Sequence, residues 1–303
     1  MITVVCLSPS IDETILLPSL ALGATNRAQE KRTAAGGKGV NVAMTLATMG
    51  ESVQLVLPRH QVGAQSLFDA LERAHVRCIS VDVPGALRVN LKLLDTFCDT
   101  VTEVNASAEP IPEDALSQLE EAIAAAAQQS GWLVLTGSLP KGCAADVYAR
   151  IICRVRREAP DCRIALDAEG EPLRLGVNKS PDFIKPNRHE LELLMGRTLD
   201  TEEDVLAAAE QVAAGVSNVL VSLGEAGAML LCGGAVYRAK AIPVPVATTV
   251  GAGDALLSGY LHAHAKGARE AFAYAAAAAA ARVAGRDGEA EAFLPQAEIW
   301  LQD

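Results

Sequence analysis

The chain alternates between two hydrophobic periods. Ile2-Thr3-Val4-Val5-Cys6-Leu7 is an unbroken apolar, β-branched run, which predicts a buried strand. Runs of the same kind recur at Ser52–Leu57, Val81–Val83, Trp132–Thr136, Arg163–Leu166, Phe183–Ile184 and Val219–Leu223. Between them lie stretches with helical spacing: Val40–Met49, Gln65–Ala74, Pro112–Gln129, Ala145–Glu158 and Glu202–Ala214, then Ala255–His264 and Ala271–Ala284. Strand and helix in turn predict an α/β fold with a mostly parallel sheet covered on both faces.

Two stretches depart from that rhythm. Ile15–Thr33 has no helical period and carries Arg27, Lys31 and Arg32. Leu87–Leu94 alternates strictly, with Arg88, Asn90 and Lys92 on one face and Val89, Leu91 and Leu93 on the other. An edge strand with a solvated face gives that pattern, and so does a flap over a ligand; Thr102–Asn105 is its expected hairpin partner. The two stretches together read as a small β flap, a lid over residues 13–33 and 86–107. The core is then 1–12, 34–85 and 108–303.

Composition narrows the function. The 303 residues are 50% hydrophobic but only 4% aromatic, so Ala, Val, Leu and Ile must fill the core. A formal net charge of -11 argues against non-specific nucleic-acid binding, and any anionic ligand needs locally clustered cations. Seven cysteines without a C-x-x-C pair predict reduced thiols in the cytoplasm rather than disulfides or zinc. No apolar run is long enough to span a membrane, and Met1–Leu7 reads as a strand, not a signal peptide.

Chemistry concentrates at Thr248–Gly259, where Gly251-Ala252-Gly253-Asp254 opens an apolar helix. Free N–H groups and the helix dipole at such a start attract an anion, and glycine lets a ligand approach the backbone. A carboxylate beside an anion hole is repelled by its occupant. It earns its place if it takes the proton of a hydroxyl attacking a phosphate; alternatively, Asp254 is a helix-capping residue. Gly36-Gly37-Lys38-Gly39-Val40-Asn41 is a second glycine-rich helix entry, without the spacing of a Walker A loop or a Rossmann fingerprint. Asn187 and Glu190, one helical turn apart, suit either Mg²⁺ or a capping box. Asp12 follows the first strand, at the edge where open α/β sheets bind ligands, or serves only as a turn carboxylate.

Taken in order, Gly36–Asn41, Gly137-Ser138-Leu139-Pro140, Lys185-Pro186-Asn187 with Glu190, Val221-Ser222-Leu223-Gly224 and Gly251–Asp254 resemble the PfkB family of ribokinase-like sugar kinases. Arg88–Lys92 and Thr102–Asn105 resemble its 1-phosphofructokinase branch, with the tagatose-6-phosphate kinases close behind. The resemblance implies a ribokinase-like three-layer α/β/α sandwich with a β-sheet lid. It also implies ATP- and Mg²⁺-dependent phosphorylation of a phosphorylated ketohexose by a homodimer paired through its lids: fructose 1-phosphate to fructose 1,6-bisphosphate first, with tagatose 6-phosphate or fructose 6-phosphate as the alternative substrates.

By the same resemblance Asp254 is the base, and the amides of Gly251, Ala252 and Gly253 hold the transferring phosphoryl. Asp12, Gly37, Asn41 and Asn90 meet the sugar; Lys38, Arg88 and Ser138, with Arg27, hold its existing phosphate. Lys185, Asn187, Ser222, Gly224 and Gly227 serve the nucleotide, and Asn187 with Glu190 the metal. A sugar-phosphate sensor on the same scaffold is the alternative of another class, although a sensor has no need of Asp254. A nicotinamide-dependent oxidoreductase is excluded because Ser8-Pro9-Ser10 stands where its glycine fingerprint belongs.

Overall fold

The computed structural model describes residues 1–302 and forms two sheets. The larger has ten strands. β1 (Ile2–Val5) pairs in parallel with β4 (Val53–Val62) on one side and β8 (Trp132–Thr136) on the other. The parallel array continues outward to β5 (Arg77–Ala86) beside β4. On the other flank it runs through β9 (Arg163–Asp167), β10 (Phe183–Ile184) and β11 (Asn218–Ser222). Antiparallel β12 (Ala228–Cys232), β13 (Ala235–Ala239) and β14 (Ile299–Leu301) finish that edge.

The parallel strands are apolar on both faces, as burial under two helix layers requires, and separate hydrophobic clusters fill the two sides. One contains α3 (Glu113–Ala127), α4 (Val147–Glu158) and α7 (Glu202–Ala213); the other contains α1 (Lys38–Thr48), α8 (Ala252–Ala263) and α9 (Ala268–Val283). The remaining helices are α2 (Gln65–Arg73), α5 (Gly170–Val177), α6 (Arg188–Met195) and the short α10 (Ala290–Phe293). The alanine-rich α9 lies close against α8, where a Cβ on Gly259 would strike the Tyr274 carbonyl. No helix among the described residues is long and apolar enough to cross a membrane.

The second sheet has the order β3 (Glu30–Gly36), β2 (Ser10–Leu17), β6 (Arg88–Asp95), β7 (Thr100–Val104). It begins at Ser10 and runs to Gly36, so it reaches three residues further at each of these ends than the 13–33 expected. Asp12 is consequently a strand residue of the small sheet and not the end of the core segment 1–12.

Of the two readings of Leu87–Leu94 the edge strand fails, because β6 is interior to the small sheet, between β2 and β7. Its polar face turns inward: Asn90 is buried and Lys92 pairs with Asp12, while Val89 is exposed. Alternation reports two unlike faces but not which one meets water.

A third difference concerns Pro58, which does not end its strand as Ser52–Leu57 implied; β4 continues to Val62. β1 stops pairing at Val56, and beyond it β4 has only β5 as a neighbour. A missing N–H on the open side disrupts no ladder.

Candidate active site

Parallel strands deliver their C-terminal ends to one edge, and the candidate residues gather there. Thr136 ends β8, Asp167 ends β9, Lys185 follows β10 and Ser222 ends β11. The N-termini of α1 and α8 meet at the same edge, because Asn41 Nδ2 donates to Asp254 Oδ2 over 2.9 Å. Asp254 is buried. Burial, reinforced by the negative charge of Asp167, pushes its carboxyl up to about 6; the Asn41 hydrogen bond, Lys185 and Lys38 oppose that rise.

Ahead of Asp254, Gly251 caps α8 in the left-handed region, with φ 81°. Among the described residues no acceptor takes the N–H of Gly251, Gly253 or Asp254, while that of Ala252 reaches Thr249 O at 3.3 Å. The cradle expected at the helix start therefore has open donors. Lys185 faces it: a Cβ on Gly253 would stand 3.2 Å from Lys185 Nζ.

The same Lys185 Nζ lies 3.2 Å from Asp167 Oδ1, an ion pair between two buried groups. Among the described residues Lys185 is the one charged neighbour of Oδ1 at that range, while Oδ2 accepts from Thr136 Oγ1 at 3.1 Å. Burial pushes Asp167 upward, but Lys185, Lys38 and Thr136 together outweigh it and hold the carboxyl below its ordinary range. Lys38 in turn is raised, chiefly by Asp167 and then by Glu190, against its own partial burial. Two lysines and three carboxylates thus share one pocket edge.

Asn187 and Glu190 form the capping box in full. Asn187 Oδ1 accepts from the Glu190 N–H at 2.8 Å, and Glu190 Oε2 accepts from the Asn187 N–H at 2.9 Å. That leaves Glu190 Oε1, 3.9 Å from Lys38 Nζ, as the unengaged oxygen. Among the described residues no cluster of three His, Cys, Asp or Glu side chains could hold a metal alone. A Mg²⁺ ion that arrives on nucleotide phosphates needs few protein ligands. Glu190 Oε1, and Asp167 Oδ1 beside Lys185, suit such an ion.

Asp12 stands at the lid side. Its Oδ1 accepts from Ser10 Oγ at 2.9 Å and Asn90 Nδ2 at 3.0 Å, and its Oδ2 from Lys92 Nζ at 3.1 Å. A Cβ on Gly36 would collide with that carboxylate, and one on Gly39 with Cys6, so these glycines let the chain pack against itself. Gly37 takes φ 100° beside the Ser8 carbonyl.

The guanidinium of Arg88 is tied to backbone: Nη2 donates to Ser8 O at 2.9 Å, Nη1 to Ala106 O at 3.0 Å and Nε to Pro9 O at 3.3 Å. Ser138 is exposed in the turn after β8. Arg27 is exposed in the segment between β2 and β3 and takes part in none of the hydrogen bonds above. On the far side Asn187 bridges to Ser222, Gly224 opens a short 3₁₀ turn, and Gly227 (φ 100°) lies against the Ala239 carbonyl.

The sequence matches the pfkB family carbohydrate kinases over residues 3–294. The chain belongs to the PfkB family. It is thus a phosphotransferase that uses an alcohol group as acceptor. Among its relatives, the 1-phosphofructokinase of Rhodobacter capsulatus is 39% identical over 277 residues, covering 86% of this chain and 83% of that one. The 1-phosphofructokinase of Escherichia coli K12 is 32% identical over 266 residues, with 86% and 83% covered. Phosphofructokinase-2 from Escherichia coli, solved with substrates and products, superposes with a TM-score of 0.90 at 25% identity, covering 97% of this chain and 99% of that one.

Three residues at or beside this site were not among those expected: Asp167, Lys92 and Arg282. Asp167 left a signal, since a carboxylate closes an otherwise apolar strand at the ligand edge. Lys92 was the third member of the Arg88–Asn90 alternation. Arg282, on the last turn of α9, left none.

Proposed function

We propose that this PfkB-family kinase transfers the γ-phosphate of ATP to the free primary hydroxyl of fructose 1-phosphate, giving fructose 1,6-bisphosphate. The observation that carries the chemistry is Asp254, buried beside Asn41 and directly after the open N–H groups of Gly251 and Gly253. The hydroxyl loses its proton to an Asp254 oxygen as its own oxygen bonds to the γ-phosphorus. The bond from that phosphorus to the β,γ-bridging oxygen breaks, and the electron pair leaves on ADP. A carboxyl near pH 6 is ionised at neutral pH, yet basic enough to accept that proton. The N–H groups of Gly251, Ala252 and Gly253 stabilise the transferring phosphoryl, with Lys185 beside them.

The substrate class rests on the relatives named 1-phosphofructokinase and on the cations available. In this reading Asp12, Gly37, Asn41 and Asn90 orient the sugar. Lys38 and Ser138, with Arg27, hold its phosphate, and Arg88 adds charge beside it while fastening the turn. Asn187, Ser222, Gly224 and Gly227 line the nucleotide side. Asp167 and Glu190 would hold the Mg²⁺ carried by ATP, with Asn187 fixing Glu190; bound there, the ion neutralises charge that builds on the phosphates.

The lid serves as the dimer surface in the same reading. On its outer face Ile15, Val89, Leu91, Leu93 and Val104 share one side by register, and Val89 and Val104 are exposed. A second lid would cover that apolar patch. Seven free cysteines suit a reducing, cytoplasmic location.

The test is an ADP-release assay with Mg-ATP against fructose 1-phosphate, fructose 6-phosphate, tagatose 6-phosphate and free sugars. A preference for fructose 1-phosphate supports the reading. Turnover of only another phosphorylated ketohexose moves the substrate, turnover of only a free sugar removes the phosphate pocket, and silence from folded, ATP-binding protein leaves a sensor.

A further inference from the structure

The segment 240–251, which leads into the phosphoryl cradle, has no helix or strand, and Val246 and Thr249 are exposed. Ile242 is buried, and the later part of the segment is hydrogen-bonded to the C-terminal end of α9. The Val283 carbonyl accepts from the N–H of Ala247 at 2.8 Å and of Thr248 at 3.2 Å. One residue earlier, Arg282 Nε donates to Val250 O at 2.9 Å. Arg282 is itself steadied by Asp287, whose Oδ2 accepts from Nη1 at 2.6 Å. The guanidinium lies flush with the cradle, since a Cβ on Gly251 would stand 3.0 Å from Nε and 3.4 Å from Nη2.

The peptide bond gives this contact a consequence. In a trans peptide the C=O of one residue and the N–H of the next point in opposite directions. Arg282 draws the Val250 carbonyl to one side, so the N–H of Gly251 is aimed to the other, away from the arginine. That N–H has no acceptor among the described residues. Gly251, at φ 81°, has the freedom to rotate this peptide. A loop with glycine at its crest and exposed residues at 245–247 and 249 needs a fixed partner if its amide is to be aimed before the substrate arrives.

We propose that Arg282 is a positioning residue for phosphoryl transfer: by holding the Val250 carbonyl it locks the Val250–Gly251 peptide with the Gly251 N–H directed into the cradle. This rests on the reading of Gly251–Gly253 as that cradle. Its positive charge, set beside the loop in a protein of net charge -11, also favours an anion there.

The experiment compares wild type with Arg282→Ala and Arg282→Lys. Preorganised backbone donors act on developing charge, so the alanine variant is expected to lose about 10- to 100-fold in kcat, with the KM of the sugar phosphate within about 3-fold of wild type. Free guanidinium at millimolar concentration recovers part of the loss in Arg282→Ala and none in wild type. Arg282→Lys falls between, having one donor centre in place of the fork. Melting temperatures are measured in parallel, because a variant that is merely unfolded regains nothing from guanidinium.

Unchanged kcat in Arg282→Ala overturns the proposal. So does a loss that guanidinium leaves untouched in protein that melts like wild type. Slow hydrolysis of Mg-ATP without sugar separates this claim from the substrate assignment. A wrong sugar leaves Arg282→Ala impaired in hydrolysis although neither protein phosphorylates the sugar offered. A wrong role for Arg282 leaves both proteins hydrolysing ATP equally.

Discussion

Asn41 and Asp254, 213 residues apart in sequence, are joined by a 2.9 Å hydrogen bond that ties the first turn of α1 to the first turn of α8. The donor is an amide and the acceptor an ionisable oxygen, so the bond favours the charged carboxylate. It is the foremost of the contacts that lower the Asp254 pKa against burial and against Asp167. Removing it with Asn41→Ala should move the acid limb of the kcat profile to higher pH. The KM of the sugar phosphate should rise as well, because Asn41 also faces the sugar in the proposed complex. A pH–rate profile that does not move would show that this bond does not tune the base.

Asp254 itself links activity to stability with opposite signs. With a carboxyl near 6, turnover should fall about tenfold per pH unit below that value and level off above it. The folded-state pKa stands above the 3.8 of an ordinary Asp, so the folded protein keeps a proton that the unfolded chain has already lost. The folded state therefore loses stability as pH rises from 3.8 to about 6, and the full cost, about 3 kcal/mol, persists above. Asp254→Asn should abolish turnover yet raise the melting temperature at pH 8, and the gain should shrink at pH 5. A variant less stable than wild type at pH 8 would contradict this account of the buried charge.

Asp167 acts on the proposed base, Asp254, from the other side. Its negative charge raises Asp254, so Asp167→Asn should move the acid limb of the rate profile to lower pH. The same change leaves Lys185 buried without its ion-pair partner, a situation that costs about 3–5 kcal/mol when nothing else compensates. Asp254 and Glu190 remain nearby, so the loss should lie at the low end of that range. Titration of kcat against pH and chemical denaturation read the two effects separately.

The pattern of strands and helices was legible because it rests on local period, and the parallel core obeys period closely. Lid and site were legible unequally. The glycine-rich helix entries show in sequence because close approach and a left-handed Gly251 require glycine. Asn90 and Lys92 were visible as one face of a strand, but strand alternation cannot say that this face turns inward onto Asp12. Asn187 and Glu190 were ambiguous because a capping box and a pair of metal ligands demand the same spacing, and the capping box forms. Arg282 was invisible because an arginine at the end of an alanine helix looks like a solvated C-terminal charge. Its contact with the Val250 carbonyl exists only because α9 packs against the 247–250 loop.

Arg88 is where the structure most changes what a substitution should do. Its three donors to Ser8, Pro9 and Ala106 carbonyls bind the start of β6 to the turn between β1 and β2 and to the chain leaving β7. That turn leads into Ser10 and Asp12, which face the sugar in the proposed complex. Arg88→Ala should therefore lower stability, on the order of 3 kcal/mol for several charge-assisted bonds to partly buried carbonyls. Arg88→Lys should recover little, because one ammonium cannot reproduce the fork. The KM of the sugar phosphate should rise well above that of ATP, which binds on the other side of Asp254 in the proposed complex. Free fructose separates the two ways this can happen. If Arg88 also contributes charge beside the sugar's phosphate, kcat/KM falls further for fructose 1-phosphate than for fructose. An equal fall for both would mean that Arg88 acts only by fastening the turn, and that Lys38 and Ser138 must bind the phosphate without it.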